Sequence, residues 1–451
     1  MLYIPIEIFS REYRSKLAVA MHVCNTGIPV CFGHKSFVRN LYKSRQVKGV
    51  IYNKGVGDQV QKEDYEIDLE AGYKFIAQDE EAGIIFKNFS DFYQERSSLH
   101  SLDQVSKFFT WGDADQCFFE NQTPHIDKAI LTGSPRASFW GNLGHEIFKK
   151  EIQNIKSKFG SYILFPTNFA TYNSFLGERR YTKHLENFSY YRDAGFQDLI
   201  DREQRKYEMQ MMKFVTESVV EICTKLKKSV IIRPHPGEDV NTWRKIRNKM
   251  PSEIRQKLHV LREGDVTPWI LAADLVVQRG CTTGLEAILS QVPVVSYVLE
   301  PWENQDPKRS FVDANTVSVK TVNELLSFIS NGTGNILSNE FLENARAKVK
   351  DAGNDLNILA ISKQICELHS SSQFEPINDL RSARFSTLKD LARMHFPRLN
   401  KNAQILDRNK RPMLTYRTVK EQIERMAIPL GIEQNFNLDL VAPSTFLMIK
   451  N

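Results

Sequence analysis

Apolar residues in this 451-residue chain fall into short runs of four to six, which suit strands, and longer stretches with apolar positions three and four apart, which suit helices. The two alternate, and that alternation predicts parallel sheets wound with helices. The clearest stretch is 228–298, with strands at 230–233, 258–261, 275–278 and 292–297 and helices at about 240–250, 268–272 and 283–290. The N-terminal part repeats the pattern: strand 2–7, helix 11–23 capped by Ser10, strand 27–33, helix 35–45, strand 49–52, then strands at 74–77, 108–111 and 129–132. No G-x-G-x-x-G accompanies this Rossmann-like opening, so no dinucleotide is expected. A helix at 145–160 precedes strand 162–166, and helix 204–227, with Met211, Met212, Val215, Val219, Ile222 and Leu226 at helical spacing, reads as core. Helices are also expected at 322–330, 340–370, 381–394 and 416–426.

A chain of this length exceeds one ordinary core. The expected division is a Rossmann-like domain over 1–155, a second domain over 156–345, a helix over 346–370, and a basic helical extension over 371–451.

Ligands of wound sheets lie outside the carboxyl ends of the strands, so polar turns at those ends are the candidate site. Two stand out: Arg233-Pro234-His235-Pro236-Gly237, and Gln278-Arg279-Gly280-Cys281-Thr282-Thr283-Gly284. Gly280 permits a tight exit from its strand. Thr282 and Thr283 stand where a helix begins, and hydroxyls, free amides and the helix dipole there make a phosphate seat. Glu286, one turn along, either accepts from ribose hydroxyls or is a solvated first-turn acid. His235, between two prolines that restrict the backbone, places an imidazole at the same edge.

Other strand ends add Pro166-Thr167-Asn168 and Gly133-Ser134-Pro135-Arg136, whose guanidinium suits bidentate capture of a carboxylate or phosphate. Gln78-Asp79-Glu80-Glu81-Ala82-Gly83 sets three carboxylates together. Crowding should raise the pKa of at least one, as a general base requires; the plain alternative is a solvated acidic turn. Asp113 and Asp115 have the spacing of a Mg²⁺ pair, but acids opening a helix are explained by its dipole, and no metal is expected. The aromatic and charged stretch 171–198, with Tyr181, His184, Phe188, Tyr190, Tyr191 and Arg192, reads as an acceptor-binding or lid segment, or as an irregular insertion. Pro301, Trp302 and Asn304 are expected to close over the cleft.

Apolar content of 41% and charged content of 25% are those of a soluble globular protein. No signal-peptide pattern opens the sequence and no apolar run approaches the roughly 20 residues that span a bilayer, so a cytoplasmic location is expected. Six cysteines lack any C-x-x-C pair, which points to reduced thiols and no zinc site. Of the net charge of +6, five units lie in 371–451, where 13 Lys and Arg face 8 Asp and Glu. That asymmetry suggests an anionic partner, with 381–426 lying on the cytoplasmic face of an anionic inner membrane or packing as a helical appendage. Nothing resembles a nucleic-acid-binding motif.

Arg-Pro-His-Pro followed by Gly-Cys-Thr-Thr-Gly-Leu-Glu-Ala resembles the C-terminal domain of GT-B glycosyltransferases that use CMP-activated sugars. These include bacterial sialyltransferases, polysialyltransferases and capsule Kdo transferases. With its N-terminal features, residues 1 to about 370 are similar to bacterial surface carbohydrate biosynthesis proteins. The resemblance implies two Rossmann-like domains with parallel sheets facing a central cleft, 1–155 on the acceptor side and 156–345 binding the nucleotide-sugar, with the helix 346–370 crossing back to the first, a C-terminal helical extension, and metal-independent catalysis without a cofactor. It also implies transfer of a nonulosonic acid (Kdo, pseudaminic, legionaminic or sialic type) from a CMP-sugar to a surface polysaccharide or lipid-linked acceptor. The His-Pro motif and the Thr pair, with Arg233, Pro236, Gly280 and Glu286, would hold the donor, and Gly133, Ser134, Arg136, Thr167 and Asn168 would complete its site. Asp79-Glu80-Glu81-Ala82-Gly83 is similar to the family's acidic pair and glycine that supply the base. Ala82 is a departure, leaving open which acid acts. A CDP-glycerol-type glycerophosphotransferase shares the His-Pro arrangement; a scaffold that binds glycan or nucleotide without turnover and a nucleotide-sugar epimerase are the remaining alternatives.

Overall fold

Parallel strands wound with helices account for most of the chain. The computed structural model describes residues 1–45, 47–55, 69–81, 99–122, 126–177, 197–299, 311–332, 338–374 and 413–451. The expectations for Ala82, Gly83, Tyr181, His184, Phe188, Tyr190, Tyr191, Arg192, Pro301, Trp302, Asn304 and the helix 381–394 lie outside the described residues. Two compact units result, one holding residues up to Ile147 and those from Arg346 onward, the other holding Phe148–Ala345.

In the first unit β1 (Leu2–Ile6), β2 (Val30–His34), β3 (Val50–Lys54), β4 (Lys74–Gln78), β5 (Lys107–Thr110) and β6 (Ala129–Leu131) pair in parallel in the order β2-β1-β3-β4-β5-β6. β1 is buried at all five positions, as its unbroken apolar run LYIPI requires of a central parallel strand. The order reverses between β1 and β3, the switch point of this sheet.

In the second unit β7 (Tyr162–Pro166), β8 (Ser229–Arg233), β9 (Leu258–Val260), β10 (Leu275–Gln278), β11 (Val294–Tyr297) and β12 (Val317–Val319) form a parallel sheet in the order β12-β11-β10-β7-β8-β9. This is the dinucleotide-fold strand order, with its switch point between β7 and β10. The helix Gln197–Lys225 lays Met211, Met212, Val215, Val219 and Ile222 in one core with Val230, Ile232, Val277 and Val295 of the sheet. Each such side chain contributes about 1.5–3 kcal/mol by leaving water.

The C-terminal region departs from the expectation of helices alone. The helix Tyr416–Ala427 is present, but Val419, Ile423, Met426 and Ala427 are buried, so its apolar stripe is packed inside the first unit and not offered to a membrane. The chain then forms a hairpin of β13 (Phe436–Ala442) and β14 (Thr445–Lys450), and β14 pairs antiparallel with β2, Phe446 opposite Phe32. Gly33 sits at φ +137°, and a Cβ there would run into the Ser444 carbonyl, so glycine is what lets the hairpin dock. The helix expected over 340–370 is two, Asn339–Lys348 and Leu356–Ser371. Between them Gly353, at φ +87°, donates to the Ala137 carbonyl at 2.8 Å. Among the described residues no helix is long and apolar enough to cross a membrane.

Because Phe446 is fully buried with its ring centroid 5.7 Å from that of Phe32, Phe446→Ala is expected to lower stability by about 3–5 kcal/mol. Urea denaturation measures it, and a loss below about 1 kcal/mol would mean that the hairpin is not part of the folded sheet.

Candidate functional site

Strand order brings three loops of the second unit to one edge. β7 lies between β8 and β10, so Thr167–Asn168 sits in the middle, His235 on one side and Arg279–Thr283 on the other. Strand spacing sets the ends of β8 and β10 about 10 Å apart. His235 is exposed, and its Nδ1 accepts the Gly237 amide at 3.1 Å. A neutral ring bonded in this way carries its proton on Nε2, a donor suited to a phosphate oxygen.

Beneath the turn lies a residue that the sequence did not single out. Glu238 is fully buried; its Oε1 accepts the His235 amide at 3.0 Å and the Thr167 hydroxyl at 2.7 Å, and its Oε2 accepts the Trp243 indole at 2.9 Å and the Asn173 amide at 3.3 Å. Burial raises its pKa against the pull of these donors. One carboxylate thus ties the loop after β7 to the loop after β8. Its only sequence signal is an acid one residue before a helix N-cap, which many surface helices share. Glu208 holds the far side of the same loop, accepting the Tyr172 amide at 2.7 Å, and burial pushes its pKa up to about 7.

The loop after β10 differs from expectation in its cap. The helix runs Thr282–Leu289 and its N-cap is Cys281, whose Sγ accepts the Thr283 amide at 3.3 Å and whose thiol donates to the Thr283 hydroxyl at 3.1 Å. Neither threonine hydroxyl caps the helix: Thr283 is buried against Cys281, and Thr282, half-buried, occupies the first turn. Gly280, at φ +53°, donates its amide to Asp313 at 3.0 Å, and Arg279 forms a buried ion pair with the same carboxylate. Arg279 also donates to the Tyr207 hydroxyl at 2.6 Å. A Cβ on Gly284 would collide with Val312 and Gln278, so the helix start can lie this close to β10 only with glycine there.

Two further residues have protein partners. Glu286 is 1% exposed and accepts the Thr267 hydroxyl at 2.5 Å, so it is no solvated first-turn acid. Arg233, expected on the donor, instead gives its guanidinium to the Glu263 and Gly264 carbonyls, both at 2.9 Å, and lies over the Trp269 ring. Burial lowers its pKa to about 10 despite Asp265 and Glu263 nearby. Its work is to hold the loop after β9.

The carboxyl edge of the first sheet carries a buried ionic network at its switch point. Lys16 bonds Glu80 at 3.1 Å and Glu12 at 3.2 Å, with all three side chains almost wholly buried. Arg11 bonds Glu81 at 2.8 Å. Glu12 also accepts the Glu7 and Ile8 amides at 3.2 Å, taking the capping role expected of Ser10; the helix starts at Phe9. Asp79 is buried and accepts the Glu81 amide at 2.7 Å. The acidic turn is therefore supported by cations from the first helix rather than left as three crowded carboxylates. Burial acts upward on the Glu12 pKa, but Lys16, Arg11 and Lys54 overcome it and bring it down to about 2. Burial opposes the charge on Lys16, yet Glu12 and Glu80 raise its pKa.

Arg136 is buried too, donating to the Glu80 carbonyl at 2.9 Å between the Trp111 and Trp140 rings. Ser134 accepts the Arg136 amide at 3.3 Å, and the Gly133 carbonyl accepts from Gln78 at 2.7 Å. Asp115 accepts the Trp111 amide at 2.9 Å and so ties the first turn of its helix back to the end of β5.

No protein-family model matches the chain, and no curated protein does. Among solved structures it is similar to the wall teichoic acid polymerase TagF soaked with CDPG, at 7% identity and a TM-score of 0.50, over 83% of this chain and 90% of that one. The fold is GT-B. It is also similar to the UDP-GlcNAc 2-epimerase of Methanocaldococcus jannaschii in complex with UDP-GlcNAc and UDP, at 11% identity and a TM-score of 0.47, over 82% of this chain and 99% of that one. The UDP-GlcNAc 2-epimerase of Neisseria meningitidis bound to UDP-GlcNAc aligns at 12% identity and 0.46, over 81% and 99%. At such identities the likeness concerns fold alone.

Lys16→Met leaves two buried carboxylates without their shared cation, and the expected cost is about 3–5 kcal/mol. The low pKa of Glu12 sets a pH window: its stabilisation is complete above its ordinary value of 4.5 and is lost as pH falls toward about 2. Denaturation curves between these limits should show a steep acid limb in the natural protein and a shallower one in Lys16→Met. Equal limbs would show that the network does not govern acid stability.

Proposed function

We propose that this chain is a transferase acting on a nucleotide-activated donor, with the donor phosphate held between His235 and the start of the helix Thr282–Leu289. The supporting observation is the strand order of the second sheet, which gathers His235, Thr167, Asn168 and Thr282 at a switch point, where ligands of wound sheets bind. Charge that collects on the phosphate as the donor bond breaks would be met by Nε2–H of His235 and by Thr282 in the first turn of the helix, since the Gly280, Cys281, Thr283 and Gly284 amides already have protein acceptors. On the acceptor side the chemistry calls for a carboxylate to take the hydroxyl proton. Of the three acids Glu81 suits this best: its side chain is 33% exposed, whereas Glu80, at 2%, is locked to Lys16.

The finer reading is a CMP-activated nonulosonic acid as donor, with a surface polysaccharide or lipid-linked glycan as acceptor; it rests on the motif resemblance. A second reading, transfer of glycerol phosphate from CDP-glycerol, rests on the His-Pro arrangement; TagF, soaked with CDPG, shares the fold.

Thermal denaturation with CMP, CMP-sugars, CDP-glycerol and UDP-GlcNAc tests the donor seat, since a bound nucleotide raises the melting temperature by mass action. Cytidine nucleotides are expected to stabilise the protein, and His235→Ala to melt normally without ligand but lose that response. Undiminished nucleotide binding in His235→Ala would remove the seat. Product analysis then separates the two donors, and binding without turnover of any donor would leave a scaffold. Glu81→Gln should bind nucleotide normally and turn over about a hundredfold or more slowly; an unchanged rate excludes Glu81 as the base.

A further inference from the structure

All six strands of the second sheet run parallel, so their amino ends gather on the edge opposite His235 and Thr282. There, before β9, Arg247, Asn248, Ser252, Arg255, Gln256 and His259 line a pocket of about 390 Å³. Each of the six side chains can donate a hydrogen bond, and none is acidic. Glu253 lies on the same short helix, Ser252–Lys257, but is not part of the lining.

Arg247 is fixed before any ligand arrives: its Nε donates to the Leu258 carbonyl at 2.6 Å and its Nη2 to the Arg255 carbonyl at 2.7 Å. A guanidinium held in this way loses little further rotamer freedom on binding. His259 is half-buried edge-on to Phe159, ring centroids 4.9 Å apart. Burial lowers the pKa of its ring, and the charged neighbours that act on it, Arg247 and Lys158, are both cations acting in the same direction. The pocket is thus lined by hydrogen-bond donors and positive charge, the chemistry that recognises a compact oxyanion.

We propose that this pocket binds a phosphate-bearing group. It is independent of the donor reading, because it lies at the other end of the strands and shares no residue with that edge.

The test follows the His259 imidazole by NMR in the full chain during titration with sodium pyrophosphate at constant ionic strength, and then with vesicles of phosphatidylcholine with and without phosphatidylglycerol. Saturable shifts at His259, with its pKa rising by about one unit as a bound anion offsets the cations, are expected. Arg255→Gln, at an exposed position, should fold normally and bind about tenfold more weakly, the loss of one charge-assisted hydrogen bond. Response to pyrophosphate and to the anionic vesicles identifies a lipid headgroup; response to pyrophosphate alone identifies a soluble phosphate compound. The proposal is overturned if His259 responds to neither, or if Arg255→Gln binds as the natural protein does. A response confined to His235 would place the anion at the opposite edge and likewise overturn it.

Discussion

A carboxylate removed from water must be met by donors or a cation, and in the second unit that requirement shapes the candidate site. Glu238 has no exposure, and its two oxygens are satisfied only because Thr167, Asn173, His235 and Trp243 arrive from two loops and a helix. Leaving any buried polar partner unmet costs on the order of 1–3 kcal/mol, so the loops after β7 and β8 are held to one relative arrangement. The position of His235 follows from that arrangement, and the Gly237 amide then sets its tautomer.

The first unit meets the same constraint with ions. Lys16 between Glu12 and Glu80 is a buried triad, and such triads are weak evidence of net stability because desolvation consumes much of the attraction. What the triad does accomplish is geometric. It joins the start of the first helix to the turn after β4, across the switch point of the sheet, and leaves Glu81 as the acid with both a cation and solvent beside it.

Both units therefore fix the turns at their carboxyl strand ends with buried polar groups, whereas at the amino edge of the second sheet two cations, Arg247 and Lys158, act on His259. The two edges differ in physical character. The carboxyl edge carries a helix start and the imidazole of His235; the amino edge carries long cationic side chains, Arg247 and Arg255.

Periodicity made the strand and helix alternation legible, because a strand buried on both faces must be apolar throughout and a packed helix must be apolar every third or fourth residue. Turn chemistry made the edge residues legible as well: His235 between prolines, Gly280 at a strand exit, and the acids after β4. What the sequence could not disclose is which distant residues meet. Cys281 rather than a threonine caps the helix because the turn at Gly280 directs that side chain onto the Thr283 amide. Arg233 and Arg136 looked like ligand-binding arginines, but their guanidinium groups meet carbonyls brought from other loops. Lys16 reaches Glu80, and β14 completes the first sheet beside β2, through pairings between remote parts of the chain. Local pattern determines what each segment can become; only the packed structure decides which buried charge and which open sheet edge it must satisfy, since those costs arise when water is excluded.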